Sequence, residues 1–88
     1  MFNAGDIVKV LIPNVANAGY DYRLTAPADL GTFVSVNVMR RPYIGVVYGI
    51  GDSGLAPEKI RDTTDVFPQR MSVHDLQWIQ KMSEWTLM

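Results

Sequence analysis

Thr32-Phe33-Val34-Ser35-Val36-Asn37-Val38-Met39 alternates between two kinds of side chain. Val34, Val36 and Val38 fall on one side of an extended chain, and Phe33, Ser35, Asn37 and Met39 on the other. Period-two alternation of β-branched residues marks a strand with one face on a core. Gly31 stands before it, where a backbone conformation that side chains avoid is expected. Arg40-Arg41-Pro42 breaks it, and Tyr43 to Ile50 resumes extended structure through Ile44, Val46, Val47 and Tyr48. On the N-terminal side, Asp6 to Ile12 reads as a strand whose apolar run is Ile7, Val8, Val10 and Leu11. Pro13 stops it, and Asn14, Asn17 and Gly19 supply turn residues. Tyr20 to Leu24 is a second short strand, and Thr25 to Gly31 a loop. After Tyr48, the residues Gly49, Gly51, Ser53 and Gly54 suggest a flexible loop. Lys59 to Phe67 is expected to add a fifth strand, although Arg61-Asp62-Thr63-Thr64-Asp65 is too polar for a core.

The period changes near the C-terminus. Ser72-Val73-His74-Asp75 fits a helix cap, with the serine oxygen accepting from the amide three residues on. Met71 before it is placed to pack on Leu76 as a hydrophobic staple. Leu76, Ile79 and Met82, with Trp78 and Trp85 on an adjoining stripe, predict an amphipathic helix of about three to four turns. The expected fold is therefore mainly β with a C-terminal helix (α+β), a small OB-like or SH3-like barrel. Residues 1–70 are expected to form the barrel and 71–88 the packing helix. The apolar ending Trp85-Thr86-Leu87-Met88 suggests truncation from a longer chain, because natural termini are usually polar.

Composition narrows the function classes. A chain of 88 residues holds one modest core, and 48% hydrophobic with 19% charged residues is a globular balance. Cysteine is absent, which excludes disulfides and thiolate metal sites and suits a reducing compartment. No apolar run approaches the length of a membrane span, and Met1 to Asp6 does not start a signal peptide. The formal net charge is −1. Residues 1–50 carry four basic against three acidic groups, and residues 51–88 four against six. A protein held to nucleic acid mainly through phosphates shows a strong basic field. Any nucleic-acid contact here must be local, or supported by charge elsewhere.

Catalytic signatures are missing. No glycine loop has the lysine and serine or threonine of a nucleotide-hydrolysing site. Gly49-Ile50-Gly51 with Gly54 imitates a dinucleotide fingerprint but has no helix starting at the glycines. His74 is the only histidine. It supplies at most one nitrogen to a metal and reads as a surface group, and no serine is spaced to use it as a base.

Two constellations remain. Tyr20-Asp21-Tyr22 sets one carboxylate between two phenol rings. Rings offer flat surfaces to a base, and an ionised carboxylate accepts a hydrogen bond from a sugar hydroxyl. Such a pocket would recognise an end and not a length of backbone. The competing reading packs Tyr20 and Tyr22 on the core, with Asp21 facing water. The second constellation is basic: Arg40 and Arg41 in a turn, and Lys59 and Arg61 after the glycine loop. These are either solvated turn charge or contacts for a nearby phosphate.

In order, the landmarks resemble the N-terminal domain of the bacterial PriA primosomal helicase family. They are Val8-Lys9-Val10-Leu11-Ile12-Pro13, Tyr20-Asp21-Tyr22, Pro27 with Gly31 to Val38, Arg40-Arg41, Gly45-Val46-Val47, Lys59-Ile60-Arg61, and in part Trp78 to Leu87. The resemblance spans essentially the whole chain. Three places differ. Tyr20 stands where phenylalanine is usual, Met39 precedes Arg40 where the family often has glycine, and Asp65-Val66-Phe67 replaces Val-Leu-Asp.

The resemblance implies a domain that binds the 3′ end of DNA at stalled forks or D-loops for a replication-restart helicase. Asp21 would accept from the terminal 3′-hydroxyl, Tyr20 and Tyr22 would wall the pocket, and Lys59 or Arg61 would meet a phosphate. Arg40 and Arg41 are further candidates for phosphate contact. It implies no catalysis and no metal or cofactor in these residues. ATP, magnesium and zinc would belong to the rest of a 3′→5′ helicase. The implied partners are DNA 3′ ends, the helicase core, other primosome proteins and single-strand-binding protein, in the bacterial cytoplasm and away from membranes. The alternative is a protein-docking barrel that uses Leu76, Ile79, Met82 and Trp85 as its interface.

Overall fold

The computed structural model describes residues 1–12, 19–52, 54–55, 57–72 and 74–75. Six strands run in the order β1 (Ile7–Leu11), β2 (Gly19–Arg23), β3 (Thr32–Val38), β4 (Arg41–Ile50), β5 (Arg61–Asp62) and β6 (Asp65–Arg70). A 3-10 turn at Pro57–Lys59 precedes β5. Among the described residues no helix is long and apolar enough to cross a membrane.

The alternation read from residues 32–38 decides which way β3 faces. Val34 and Val36 are fully buried, on the same side as Val8, Val10, Ile12, Tyr22, Leu24 and Val47. Phe33 points the other way, into a second, smaller cluster with Leu11, Val46, Tyr48 and Met71. The unbroken apolar run in β1 now has its reason. Val8, Val10 and Ile12 fill the interior, while Leu11 anchors the outer cluster. Burying a valine side chain is favourable by roughly 1.5–3 kcal/mol, so the interior valines are the main source of cohesion.

The sheet is one piece with strand order β5-β2-β1-β4-β3-β6. Its two edge strands are consecutive in sequence, so two residues draw the edges together. The Thr63 amide donates to the Arg23 carbonyl at 3.0 Å, beside β2. The Thr64 amide donates to the Ser35 carbonyl in β3 at 2.7 Å, and its hydroxyl reaches the same oxygen at 2.9 Å. This curls the sheet in a manner consistent with an OB-like barrel. Thr63 is buried, and its Oγ1 accepts from the Thr25 amide at 3.1 Å and lies 2.9 Å from the Thr25 hydroxyl. The expected fifth strand is thus two strands, β5 and β6, divided by this threonine pair.

The β3–β4 connection is tighter than the sequence implies. Val38 pairs with Arg41, leaving Met39 and Arg40 as a two-residue turn with φ of 51° and 68°. Positive φ at both central residues is the type I′ geometry, in which Asn-Gly is favoured. The break expected at Arg40-Arg41-Pro42 therefore falls one residue earlier. Pro42 lies inside β4, where β4 runs beyond its pairing with β1 and, among the described residues, is paired on one side only. Gly31 adopts φ of 86°, as expected, and links β4 with the residue that follows β6. Its amide donates to the Val47 carbonyl, and its carbonyl accepts from Met71, both at 2.7 Å.

The helix expected over residues 71–88 lies almost wholly outside the described residues. Its cap is within them: the Asp75 amide donates to Ser72 Oγ at 3.1 Å. His74 is exposed.

Candidate nucleic-acid interface

Alternation along β2 divides the Tyr-Asp-Tyr segment between two faces. Tyr22 is buried in the interior cluster, and Tyr20, on the same side, is 37% exposed. Asp21 projects from the opposite face, paired across the sheet with Lys9. To this extent the competing reading of the segment holds, since Tyr22 is a core residue. The three still converge on one cavity, because β2 is not fully covered. Its pairing with β5 is confined to Tyr22 and Arg23, so among the described residues no strand pairs with the Tyr20–Asp21 edge on that side. A cavity of about 280 Å³ straddles that edge and is lined by Tyr20, Asp21, Tyr22, Leu55, Lys59 and Arg61.

Within it the carboxylate of Asp21 is held at one oxygen. Oδ1 accepts from the Asp52 amide at 3.1 Å and from Lys9 Nζ at 3.5 Å. Among the described residues Oδ2 accepts no hydrogen bond, so it can accept one from a ligand hydroxyl. The Asp52 amide reaches Oδ1 because residue 51 is glycine. A Cβ there would stand 2.8 Å from Asp21 Oδ1 and 2.6 Å from Ile7 Cγ2, inside van der Waals contact.

Two phenols sense this environment. Burial pushes the Tyr22 hydroxyl above its usual pKa, Tyr20 adds to the rise, and Arg61 opposes it. Tyr48, beneath the site, is also raised by burial, with Lys9 lowering and Asp21 raising it. Both phenols therefore stay protonated at neutral pH. No buried side-chain polar atom among the described residues lacks a partner, and Tyr22 makes no hydrogen bond there. Tyr22 thus belongs both to the interior cluster and to the lining of the cavity.

A larger open groove of about 800 Å³ adjoins the small cavity, within the range of roughly 300–1,000 Å³ usual for ligand clefts. Its walls are Tyr20 and Tyr22, the β3–β4 hairpin tip with Met39 and Arg40, and the segment with Ile60 and Arg61. Tyr20, Tyr22 and Arg61 line both spaces. Glu58 and Asp62 also face the groove, and Asp62 is paired with Arg23 at 3.3 Å.

The structure thus brings together Tyr20, Asp21, Tyr22, Lys59 and Arg61, with Arg40 across the groove. It does not bring in Arg41, which is exposed at the start of β4 and lines neither space. Leu76, Ile79, Met82 and Trp85 lie outside the described residues. Sequence reasoning missed Lys9, Gly51, Asp52 and Leu55. Lys9 carried a signal, as the charged residue alternating with Val8 and Val10. Gly51 read as a loop glycine, and only the fold shows it closing on Asp21. The site brings a carboxylate fixed at one oxygen, two tyrosines and flanking cations to one cavity, a set of groups suited to binding.

A protein-family model described as a 3′DNA-binding domain (3′BD) of PriA matches residues 9–88. No curated protein and no solved structure matches the chain.

Proposed function

The chain belongs to the PriA 3′-DNA-binding-domain family, a non-catalytic module that binds DNA 3′ ends in replication restart, and from that membership we propose how its residues divide the task. Asp21 Oδ2 accepts the proton of the terminal 3′-hydroxyl, Tyr20 stacks on the terminal base, and Lys59 and Arg61 meet the nearest phosphate. The observation that carries this reading is the Asp21 carboxylate, anchored at Oδ1 and open at Oδ2 inside a cavity shared with both tyrosines and both cations.

The chemistry discriminates between ends. A carboxylate accepts from a hydroxyl and repels a phosphate, so an extendable end is bound and a blocked one rejected. Stacking is indifferent to sequence, because every base has a face. We assign the wider setting on the same membership. The ends are those of stalled forks or D-loops, and residues 1–70 form the end-binding module. A helicase core in the longer protein supplies most backbone affinity, along with ATP, magnesium and zinc. Primosome proteins and single-strand-binding protein act beside it in the bacterial cytoplasm.

Fluorescence anisotropy with paired oligonucleotides ending in a 3′-hydroxyl or a 3′-phosphate tests the assignment. A hydrogen bond to a charged group contributes about 1.5–3 kcal/mol, so the hydroxyl end should bind roughly 10- to 100-fold more tightly. Asp21→Asn should abolish most of that ratio, partly by admitting the phosphate. Equal affinity of the unmutated chain for both ends would refute the reading.

A further inference from the structure

Lys59 and Arg61 stand on a segment with little of its own to hold it in place. Of the described residues 58–70, only Thr63 is buried. Strand β5 pairs with β2 through Tyr22 with Arg61 and Arg23 with Asp62, and no further. The Arg23–Asp62 ion pair at 3.3 Å joins two exposed side chains, where such a pair contributes little. Yet this segment lines the cavity, where Arg61 opposes the rise that burial imposes on the Tyr22 pKa.

Thr63 follows Arg61 by two residues and is 2% exposed. Its contacts run to the end of β2 and the residues just after it. The Thr63 amide donates to the Arg23 carbonyl at 3.0 Å. Its Oγ1 accepts from the Thr25 amide at 3.1 Å and lies 2.9 Å from the Thr25 hydroxyl. Valine would fill nearly the same volume, but it would leave the Thr25 amide without its acceptor. Thr64 does not replace this tie. Its amide and hydroxyl both go to the Ser35 carbonyl in β3, which fixes the start of β6 and not β5.

We infer that Thr63 is a positioning residue for DNA ends: its hydroxyl, held by Thr25, docks β5 on β2 and so sets Lys59 and Arg61 at the cavity. Thr63 lines neither space and acts through the two cations. The inference rests on the proposed function only in taking Lys59 and Arg61 as phosphate contacts. Asp21 plays no part in it.

Anisotropy titrations of an oligothymidylate with a free 3′-hydroxyl, at several salt concentrations, compare Thr63→Val and Thr63→Ser with the unmutated chain. Thr63→Val should weaken binding at low salt by at least about 10-fold, the scale of one hydrogen bond to a charged group. Its salt slope should be shallower by about 0.7, the value of one phosphate. A reduced folded fraction would lower the affinity and leave the slope as it was. Thr63→Ser keeps the hydroxyl and should keep both affinity and slope. In a Lys59→Gln/Arg61→Gln background, Thr63→Val should add less than about 2-fold. Should Thr63→Val lose its cooperative urea transition, Thr25→Ala takes its place. That change, at an exposed position, removes one contact of the hydroxyl and should move affinity and slope the same way. An unchanged slope, or a full loss in the doubly substituted background, overturns the positioning role. If Lys59→Gln/Arg61→Gln itself keeps the unmutated slope, the cations meet no phosphate and the inference falls with them. Equal binding of 3′-hydroxyl and 3′-phosphate ends removes the role of Asp21 and leaves this one standing.

Discussion

In the proposed role, Asp21 gains from having one of its oxygens already occupied. A freely rotating carboxylate would lose conformational freedom on meeting a hydroxyl, whereas one fixed at Oδ1 by the Asp52 amide and Lys9 presents Oδ2 in a set direction. The fixing depends on Gly51, which has no room for a side chain between Ile7 and Asp21. Gly51→Ala should therefore act twice. Displacing the end of β4 from Ile7 should destabilise the fold by about 1–3 kcal/mol, seen as a lower urea midpoint with an unchanged slope. Displacing the Asp52 amide should also shrink the preference for 3′-hydroxyl over 3′-phosphate, measured on the fraction still folded. An undiminished preference would show that the amide does not hold the carboxylate. The contrast between Asp21 and Gly51 also shows what sequence can carry. Asp21 was legible because two aromatic neighbours mark it within three residues. Gly51 was not, because its constraint comes from residues 30 and 44 positions away that only the sheet brings close.

Among the elements, the β3–β4 hairpin departs most from its own local preferences. Strand β3 was readable from valine alternation, since Val34 and Val36 fill the interior, and β4 from the apolar run Ile44, Val46, Val47 and Tyr48. Their turn was misplaced by one residue because Met-Arg carries none of the Asn or Gly signal of a type I′ turn. The β5–β6 region was hidden for a related reason. Its polar residues concealed that Thr63 is buried, with its hydroxyl hydrogen-bonded to Thr25. For the hairpin, the mismatch predicts a stability gain. A left-handed conformation costs ordinary residues roughly 1–2 kcal/mol each. Replacing Met39 by Asn together with Arg40 by Gly should raise unfolding stability by about 1–3 kcal/mol in urea titration. A neutral or destabilising result would mean that the tip side chains make contacts that offset the strain.

For the molecule as a whole, charge sets the character of the binding. Net charge is −1, and several cations are committed to internal pairs: Lys9 with Asp21, Arg23 with Asp62, and Arg70 with Asp29. Lys59, Arg61 and Arg40 are the cations that line the two spaces without such a pair among the described residues. A single strand threaded along a basic groove releases one counterion set for each phosphate neutralised, with log K falling by about 0.7 per phosphate per decade of salt. Three cations can neutralise at most three phosphates, so the slope should be no steeper than roughly −2. It should not steepen as the oligonucleotide is lengthened beyond the few nucleotides the two spaces hold. Anisotropy titrations of this chain at several salt concentrations, with oligonucleotides of increasing length and a free 3′ end, measure this directly. A slope that grows with length would reveal a backbone-tracking surface and contradict recognition confined to the end. A shallow slope that is constant with length, together with a large ratio of 3′-hydroxyl to 3′-phosphate affinity, is the signature of a domain that reads where a strand stops and leaves the grip on its length to other parts of the protein.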